Sequence, residues 1–485
     1  MMSTTLEQGA LLIDGEARAG AGAAQTIIEP ATGATLAEIT LASRADVDAA
    51  VAAALDGKWG RVGAADRSAL LHRLADAIEG RADELTELEA RNVGKAITSV
   101  RGEVRAAAGV LRYFASVPGA VEGRSNPIGG SLHSYSVKQP VGVCAQIVPW
   151  NYPLSMATAK IAPALAAGCS TVLKPDAQTP LSALLLARLA LEAGLPPGVL
   201  NVVPGDGPGI GAYLVAHPGV DKVSFTGSTA SGTEVMRSCA DSIKRLTLEL
   251  GGKSPSLVFA DADLERAAAG CAWSVYGAAG QSCEARSRVL VERSVLDDFT
   301  GRFLDRAAKL RVGDPLEDAT QIGSLISRAH RDRVHSFVEG ALAAGAEVLR
   351  GGTIPAGDGA FYPPTAIADP DHGLDIERSE VFGPVATIVP FDDEADAIRL
   401  ADDTRFGLMA TIWTGDPARG PRIAGRLDSG TVGINMPFTS FPGVPFGGFK
   451  QSGFGREFGF DTLDDYLETK SVIMWTGRKS PIPID

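Results

Sequence analysis

One cysteine lies in a polar segment that does not suit core packing. Cys283, within residues 278–288 (AAGQSCEARSR), has Gln281, Ser282 and Glu284 as close neighbours. A buried cysteine usually acts as a small hydrophobe, whereas one in a polar, accessible site can be a nucleophile if a neighbour lowers its pKa or takes its proton. The residues around it do not have the spacing of metal ligands, so no metal site is predicted. The pattern predicts a nucleophile whose partner lies elsewhere in the chain.

Two polar side chains are candidates for that partnership. Glu249 lies between leucines in RLTLELGGK, and desolvation of this kind raises a carboxyl pKa toward the range of a general base. Paired with Lys253 or Arg245, it would instead be a structural glutamate at the end of a strand. Asn151 in PWNYP carries a neutral amide donor suited to a developing oxyanion, or it serves as a turn residue before a proline. The residues alone leave both alternatives open.

Two glycine-rich turns each lead from a strand-like run toward a helix. They are VVPGDGPGIG (residues 202–211) and FTGSTASG (residues 225–232). Helix N-termini with free N–H groups bind phosphate well, but neither turn matches the usual dinucleotide fingerprint closely. Both are therefore candidates for phosphate contacts, and the spacing alone does not identify the ligand.

The elements that would position these groups alternate between strand and helix patterns. VGVCAQIVPW, STVLKP, VLNVVPG, DKVSFTG and SPSLVFAD read as strands, and the leucines and isoleucine at 70, 71, 74 and 78 give an amphipathic helix. Thr179 and Pro180 are expected to start another helix as N-cap and first-turn proline. The spacing leaves room for crossover helices, which predicts an α/β fold with a mostly parallel sheet. Residues 131–142 and 465–475 read as strands outside it, of a kind often completed by another subunit.

Length and composition bound the class of protein. A chain of 485 residues predicts two or three domains, and 45% hydrophobic with 21% charged residues is typical of a soluble globular protein. The net charge of -13 argues against a nucleic-acid binder. No secretory leader or membrane-spanning stretch is recognisable, so a cytoplasmic location is expected. The other four cysteines are scattered and are predicted to be small buried residues in a reducing compartment; they are Cys144, Cys169, Cys239 and Cys271.

Seven motifs in order give the chain a family resemblance. The set PWNYP, LKP, FTGST, LELGGK, GQSC, EVFGP and PFGGFKQSG resembles the NAD(P)-dependent aldehyde dehydrogenase superfamily, in its hydrolytic, non-CoA-acylating branch. The resemblance runs from about Ile13 to Trp475. Glu249 and Cys283 are separated as the family has them.

The resemblance implies a role for each catalytic candidate. The Cys283 thiolate would attack an aldehyde carbon to give a thiohemiacetal, with the oxyanion between the Asn151 amide and the Cys283 backbone N–H. Hydride transfer would leave a thioester, and Glu249 would activate the water that hydrolyses it to the acid. Lys160 and Glu457, the latter within GREFG, would relay the proton of the base, or would form an ion pair only.

The resemblance also implies that the cofactor is NAD or NADP. Lys174 would reach the adenosine ribose, Ser228 the pyrophosphate and Glu380 the nicotinamide ribose, while Phe382 would pack near the nicotinamide or be ordinary core. The complete set of cofactor candidates is Trp150, Lys174, Ala177, Gly207, Phe225, Gly227, Ser228, Glu380 and Phe382.

One position departs from the family pattern. Where relatives often have a glutamate that accepts from the adenosine ribose hydroxyls, this chain has Ala177, with Asp176 just before it. Losing the carboxylate removes a like-charge penalty against a 2′-phosphate, with which Lys174 could pair. Asp176 either restores some discrimination or faces solvent. We expect both cofactors to be accepted.

The substrate channel is expected to be wide. By resemblance its walls comprise Tyr152, Ser155, Met156, Ala159, Tyr276, Gly277 and Glu284. Ala159 and Gly277 are small where many relatives have bulky aromatics, which favours a broad or bulky aldehyde and weakens a betaine aldehyde assignment. Glu284 could attract a cationic tail, as in aminoaldehydes, or pair with Arg286 or Arg288. Aminoaldehyde, betaine aldehyde and semialdehyde dehydrogenases remain alternatives.

The family fold predicts three parts. They are a Rossmann-like cofactor-binding domain (1–123 and 141–251, with 451–466 returning to it), an α/β catalytic domain (252–450) and a β-strand oligomerisation arm (124–140 and 467–485). A homodimer or homotetramer is expected, with no nucleic-acid or membrane partner. A CoA-acylating enzyme would typically lack Glu249. A silent structural protein of the same fold would be free to lose Cys283, Glu249 or Asn151, and all three are present.

Overall fold

The computed structural model describes residues 11–369, 371–437 and 440–477. The first ten residues of the predicted cofactor domain and the last eight of the predicted arm lie outside it. The helices are α1 (Arg44–Asp56), α2 (Ala64–Gly80), α3 (Ala82–Val93), α4 (Ile97–Ala115), α5 (Pro153–Ala167), α6 (Leu181–Glu192), α7 (Ala212–Ala216), α8 (Thr229–Ala240), α9 (Leu264–Tyr276), α10 (Leu296–Lys309), α11 (Arg328–Ala343), α12 (Asp375–Arg378), α13 (Glu394–Asp402) and α14 (Arg419–Ala424). The strands are β1 (Leu11–Ile13), β2 (Glu16–Arg18), β3 (Ala24–Ile28), β4 (Thr35–Thr40), β5 (Ser125–Asn126), β6 (Leu132–Pro140), β7 (Val143–Ile147), β8 (Ser170–Lys174), β9 (Leu200–Val202), β10 (Lys222–Thr226), β11 (Arg245–Glu249), β12 (Pro255–Val258), β13 (Arg288–Glu292), β14 (Glu347–Arg350), β15 (Thr365–Ala368), β16 (Val385–Phe391), β17 (Phe406–Gly407), β18 (Met409–Trp413), β19 (Thr431–Ile434), β20 (Phe449–Lys450), β21 (Gly453–Phe454) and β22 (Leu467–Trp475).

The first large sheet has the order β2-β1-β9-β8-β7-β10-β11-β21. Its five central strands run parallel; in sheet order they are β9, β8, β7, β10 and β11. Strands β7, β8, β9 and β10 are buried throughout, as expected for strands covered by helices on both faces. Four of the five predicted strands form this core, and the predicted α/β class is confirmed.

The second large sheet has the order β14-β15-β16-β13-β12-β18-β19. All its neighbouring pairs run parallel except β14 with β15. The fifth predicted strand, SPSLVFAD, contributes β12 to this sheet. Strand β21 pairs antiparallel with β11 at the edge of the first sheet, so the chain returns there after the second sheet.

A separate three-stranded antiparallel sheet contains both strands that the sequence placed outside the main sheets. Its order is β22-β6-β5, and β22 pairs with β6 along its full length, from Leu467 opposite Pro140 to Trp475 opposite Leu132. These strand predictions are confirmed, while the domain boundaries stay a prediction.

Two helix predictions have different outcomes. Helix α2 buries Leu70, Leu71, Leu74 and Ile78, as the apolar spacing predicted. Helix α6 begins at Leu181 with Pro180 as N-cap and no side-chain capping bond, so the start predicted at Thr179 is wrong by one residue. Within the described residues, the helices are all too short or too polar to cross a bilayer.

Candidate active site

A cavity of about 420 Å³ lies where the two large sheets face each other. Residues that follow the carboxyl ends of β7, β10 and β11 form one side, and residues that precede β13 and β16 form the other. Carboxyl ends of parallel strands are the usual location of ligand crevices in α/β proteins. The fold therefore brings segments from both large sheets to one cleft.

The loop carrying Cys283 enters this cleft in a strained conformation. Ala278 and Ala279 have φ angles of 50° and 55°, which side-chain-bearing residues rarely adopt. The loop leaves Cys283 half-buried on the cavity wall. Burial raises the pKa of the Cys283 thiol well above its ordinary value, and the carboxylates of Glu249 and Glu284 raise it further. The resting sulfur is therefore a neutral thiol that needs a proton acceptor to react.

Glu249 ends strand β11 and lines the same cavity. Its side chain is buried beside the Cys283 thiol, and neither carboxyl oxygen accepts from an N–H or O–H donor in the described structure. Burial raises the pKa of Glu249 well above its ordinary range, and the nearby Glu457 adds to the shift against the opposing charge of Lys160. A carboxyl group whose pKa is raised in this way is a stronger base than an ordinary glutamate once it is ionised.

Lys160 and Glu457 meet behind Glu249 and do not line the cavity. The Lys160 ammonium donates to Glu457 Oε1 at 2.6 Å and to Ser224 Oγ at 2.9 Å, and the lysine is fully buried. The sequence left a proton relay and an ion pair as alternatives. The ion pair exists, and a relay through it remains a prediction.

Asn151 follows β7 and faces the nucleophile loop from the opposite sheet. Its Nδ2 donates to the carbonyl of Gln281 at 2.9 Å, two residues before Cys283. That bond orients the amide nitrogen toward the loop, and an amide nitrogen has a second hydrogen to donate. The residue is buried and lines the cavity. An N–H donor beside the sulfur can stabilise negative charge that develops on a bound carbonyl oxygen.

An aromatic cluster forms the other end of the cavity. The Trp150 ring meets the rings of His330 and Phe382 edge to face, each at 5.3 Å between centroids. Phe382 has a φ of 59° and its carbonyl lies 2.7 Å from His330 Nε2. Beside it, a Glu380 carboxyl oxygen accepts from the Gly252 N–H at 2.9 Å. Trp150, Glu380 and Phe382 all line the cavity, in the region where the sequence predicted cofactor contacts.

The two glycine-rich turns differ in their relation to the cavity. Gly227 and Ser228 line it at the start of helix α8, and Ser228 caps that helix by accepting from the Ser231 N–H at 3.2 Å. In the other turn, the Asp206 carboxylate already accepts from the N–H groups of Gly209 and Ile210. The turn at 225–232 is therefore the better placed of the two for an anionic ligand.

Four predicted cofactor residues do not line this cavity. The Lys174 ammonium is buried and donates to the carbonyls of Pro175 and Gly205. Phe225 is buried on β10, directly below Gly227. Gly207 lies in the Asp206-capped turn, and Ala177 lies in the turn after β8. Any contact that these four make with a cofactor would lie beyond the enclosed cavity.

Some of the predicted channel residues line the cavity, and others do not. Tyr152, Ser155, Met156 and Glu284 line the cavity. Ala159, Tyr276 and Gly277 do not line this cavity, and their contact with a substrate stays a prediction. Ala159 is buried in the core on helix α5, and the buried Tyr276 donates its hydroxyl to the Thr365 carbonyl at 2.9 Å. Gly277 follows it, nearest the Trp273 ring.

Sequence reasoning missed most of the channel wall. Helix α4 contributes Glu103, Ala106, Ala107 and Val110, the segment after β19 contributes Ser440, Phe441, Pro442 and Phe446, and the segment after β21 contributes Phe458. The sequence signal for these wall residues was Glu103, a charged residue next to the apolar positions of helix α4. The sequence left a cationic tail and pairing with Arg286 or Arg288 as alternatives for Glu284; its carboxylate accepts from Ser440 Oγ at 3.1 Å, and both alternatives stay predictions. The four remaining cysteines are buried and free, as predicted.

Comparisons with known proteins agree with the motifs. The aldehyde dehydrogenase family model matches residues 18–472. A mutant of the aldehyde dehydrogenase from Bacillus cereus is 40% identical with a TM-score of 0.96, covering 98% of this chain and 98% of its own. The NAD-dependent aldehyde dehydrogenase from Sinorhizobium meliloti is 40% identical with a TM-score of 0.95, covering 98% and 96%. The betaine aldehyde dehydrogenase from Staphylococcus aureus in complex with NAD+ is 36% identical with a TM-score of 0.96, covering 99% and 97%. The resemblance read from seven motifs is confirmed, and the chain belongs to the aldehyde dehydrogenase family.

Proposed function

We propose that this protein oxidises an aldehyde to a carboxylic acid with NAD or NADP as hydride acceptor. The observation that carries the proposal is the convergence of Cys283, Glu249 and Asn151 on one cavity whose far end is built from Trp150 and Phe382. The family match supports the reaction class, and the NAD-complexed relative supports the cofactor.

The residues at that end suit a nicotinamide dinucleotide. The N-terminus of α8 at Ser228 offers N–H groups to a pyrophosphate, and Glu380 offers a carboxylate to ribose hydroxyls. The Thr226 hydroxyl is buried on the same wall without a hydrogen-bond partner in the described structure. When bound, the cofactor would supply the acceptor for the hydride that leaves the substrate carbon.

The chain's own residues account for the acid–base steps. Glu249, whose pKa is raised by burial, takes the thiol proton as the sulfur adds to the aldehyde carbon. The Asn151 amide donates to the oxygen that becomes negative. Loss of hydride from the thiohemiacetal carbon leaves a thioester on Cys283. Lys160 and Glu457 would first carry the thiol proton away from Glu249. Glu249 then removes a proton from the water that cleaves the thioester and passes it to the departing sulfur, which regenerates the thiol and releases the acid.

The cavity wall favours an aldehyde with an apolar body. Beyond Cys283 the wall is formed largely by Met156, Val110, Phe441, Phe446 and Phe458. Because Ala159 and Gly277 do not reach the wall, their small size no longer supports a wide channel. The cavity does have an aromatic surface, which Phe441, Phe446 and Phe458 supply in place of side chains at positions 159 and 277.

A second candidate substrate is an aldehyde with a cationic tail. The carboxyl groups of Glu284 and Glu103 both lie on the cavity wall. Burial raises the pKa of Glu103 to about 7 against the opposing charge of Lys95, which forms an ion pair with it. Aromatic rings with nearby carboxylates are the usual means of binding an ammonium group.

The experiment is steady-state kinetics of the purified protein on matched aldehydes with NAD. Hexanal, benzaldehyde, 4-aminobutanal and betaine aldehyde separate the two candidates by tail charge. We expect acid formation with at least one of them and loss of more than a thousandfold in kcat for Cys283→Ala. CoA-dependent acyl-CoA formation would indicate the acylating alternative. No turnover on any aldehyde, or robust turnover after Cys283→Ala, contradicts the proposed function.

A further inference from the structure

Arg286 is a buried arginine three residues after the nucleophile. Only 2% of its surface is exposed. A guanidinium keeps its charge in proteins and is costly to bury unless its donors are satisfied. Its contacts therefore decide what it contributes to the site.

The guanidinium joins four neighbouring parts of the catalytic side. Nη1 donates to the Glu284 carbonyl at 2.9 Å and contacts Met409 Sδ at 3.2 Å. Nη2 donates to Ser274 Oγ at 2.9 Å and to the Pro437 carbonyl. The nucleophile loop is thereby tied to helix α9, strand β18 and the segment after β19. All four of these acceptors are neutral, so none of them cancels the positive charge.

That charge lies among groups that would be anions when ionised. Burial lowers the pKa of Arg286, and interactions with Glu284, Cys271, Tyr152 and Cys283 oppose this shift. Cys283 faces the carboxylates of Glu249, Glu284 and Glu380, which all disfavour its thiolate. The fixed positive charge of Arg286 acts in the opposite direction and favours the Cys283 thiolate.

We propose that Arg286 is a positioning residue for the nucleophile, which anchors the Glu284 carbonyl and favours the thiolate of Cys283 by its fixed charge. The proposal rests on the function assigned to Cys283 above. It concerns the reactivity of the sulfur itself, so it can be measured without turnover.

The test is the pH dependence of Cys283 alkylation by iodoacetamide in the full-length protein, followed by mass spectrometry of the labelled peptide. Arg286→Met removes the charge at similar volume and should raise the midpoint by about half a pH unit or more. Arg286→Lys keeps the charge but loses the pair of guanidinium nitrogens that bind separate acceptors. The pH midpoint of its alkylation should therefore stay near wild type, while its plateau rate should fall at least threefold. Arg288→Met is the matched control. That buried guanidinium binds the carbonyls of Lys253, Leu400 and Ala401, and its loss should leave the midpoint unchanged.

An Arg286→Met midpoint within 0.2 pH units of wild type, on folded protein, overturns the electrostatic part of the proposal. If Arg286→Met does not fold, Ser274→Ala replaces it. This variant removes one anchor of the guanidinium and keeps the charge, so the plateau should fall at least twofold at an unchanged midpoint. A wild-type plateau for Ser274→Ala overturns the positioning part. Normal alkylation profiles in a protein without aldehyde turnover would contradict the proposed function alone.

Discussion

Burial of Glu249 has two opposing effects: it makes the carboxylate a stronger base, and it lowers the stability of the folded protein when the carboxyl group is ionised. Its carboxyl oxygens are buried beside the Cys283 thiol and accept from no N–H or O–H donor in the described structure, and a buried charge in that state is unfavourable. Burial therefore favours the protonated form and holds the pKa of Glu249 above its ordinary value of 4.5. The same desolvation that makes it a useful base makes its ionised form destabilising.

Replacement of Glu249 by glutamine should reveal this cost as a function of pH. The folded state binds the proton more tightly than the unfolded chain, so the stabilisation is complete below about pH 4.5 and is lost as the pH rises through the raised pKa. Glu249→Gln should therefore raise the Tm relative to wild type by about 2 °C more at pH 8.5 than at pH 5. Thermal unfolding at the two pH values measures this difference, and equal shifts would contradict it.

Ala177 is the residue at which cofactor preference is predicted. Its neighbour Asp176 accepts from the Gln178 N–H at 2.9 Å, which ties that carboxylate into the local turn. We expect wild-type kcat/KM values for NAD and NADP within about a thousandfold, roughly 4 kcal/mol. Ala177→Glu should lower the NADP value at least tenfold through like-charge repulsion and leave the NAD value within threefold. Ala177→Gln is the control, and an equal loss with glutamine would show that size rather than charge is responsible.

Single residues can be predicted to share a cavity where a motif defines both residue type and backbone position. Glu249 and Asn151 lie at or just after strand ends, Cys283 lies in the loop between α9 and β13, and all three line the cavity. Ala159 lies in a helix interior, where which face meets the cavity depends on packing that the sequence does not encode locally. The wall residues Glu103 and Phe441 come from segments distant in sequence, and only the folded chain brings them together.

At the scale of elements, the nucleophile loop depends on a glycine at its tightest point. Gly280 has a φ of 71°, and a Cβ there would lie 2.1 Å from the Gly383 carbonyl oxygen. That carbonyl follows Phe382, so the loop and the cofactor end of the cavity meet at this contact. A side chain at 280 must displace one of the two segments.

Gly280→Ala should lower kcat/KM at least a hundredfold and destabilise the protein by more than about 1 kcal/mol, through both strain and the clash. Gly277→Ala is the matched control three residues earlier. Its φ is -52°, and the nearest atom to an added Cβ is Trp273 Cε2 at 3.8 Å. Kinetics and chemical unfolding of both variants measure the effect. Near-wild-type activity of Gly280→Ala would show that the loop adapts.

The elements themselves were largely predictable because buried parallel strands have a distinct composition. The runs that became β7, β8 and β10 are apolar, β-rich and bounded by turn residues. The short strands β17, β20 and β21 each have two residues, and pairing alone defines them. The start of α6 was misplaced because Thr179 resembles an N-cap, whereas its hydroxyl is buried without a partner in the described structure.

At the scale of the whole molecule, the sheet β22-β6-β5 is separate from both large sheets, and one edge of β22 is open among the described residues. Among the described residues, strand β22 pairs with β6 alone, and an ion pair between Arg245 and Glu468 holds it to β11. Its far end exposes Ile473, Met474 and Trp475, with Ile473 66% exposed. An unpaired strand edge with exposed apolar side chains favours association with another chain. A homodimer or homotetramer formed through this sheet is therefore the predicted assembly.

Charge placed on this edge should disrupt the assembly without unfolding the subunit. Ile473→Lys introduces a cation that would have to be desolvated at the subunit contact, so sedimentation velocity should show a shift from wild-type oligomer toward monomer. Ile243→Lys is the matched control, because Ile243 is 92% exposed in the turn after α8 and lies outside this sheet. Its sedimentation should equal that of wild type. A monomeric wild type, or an Ile473→Lys variant that retains the wild-type assembly, would place the subunit contact elsewhere or remove it.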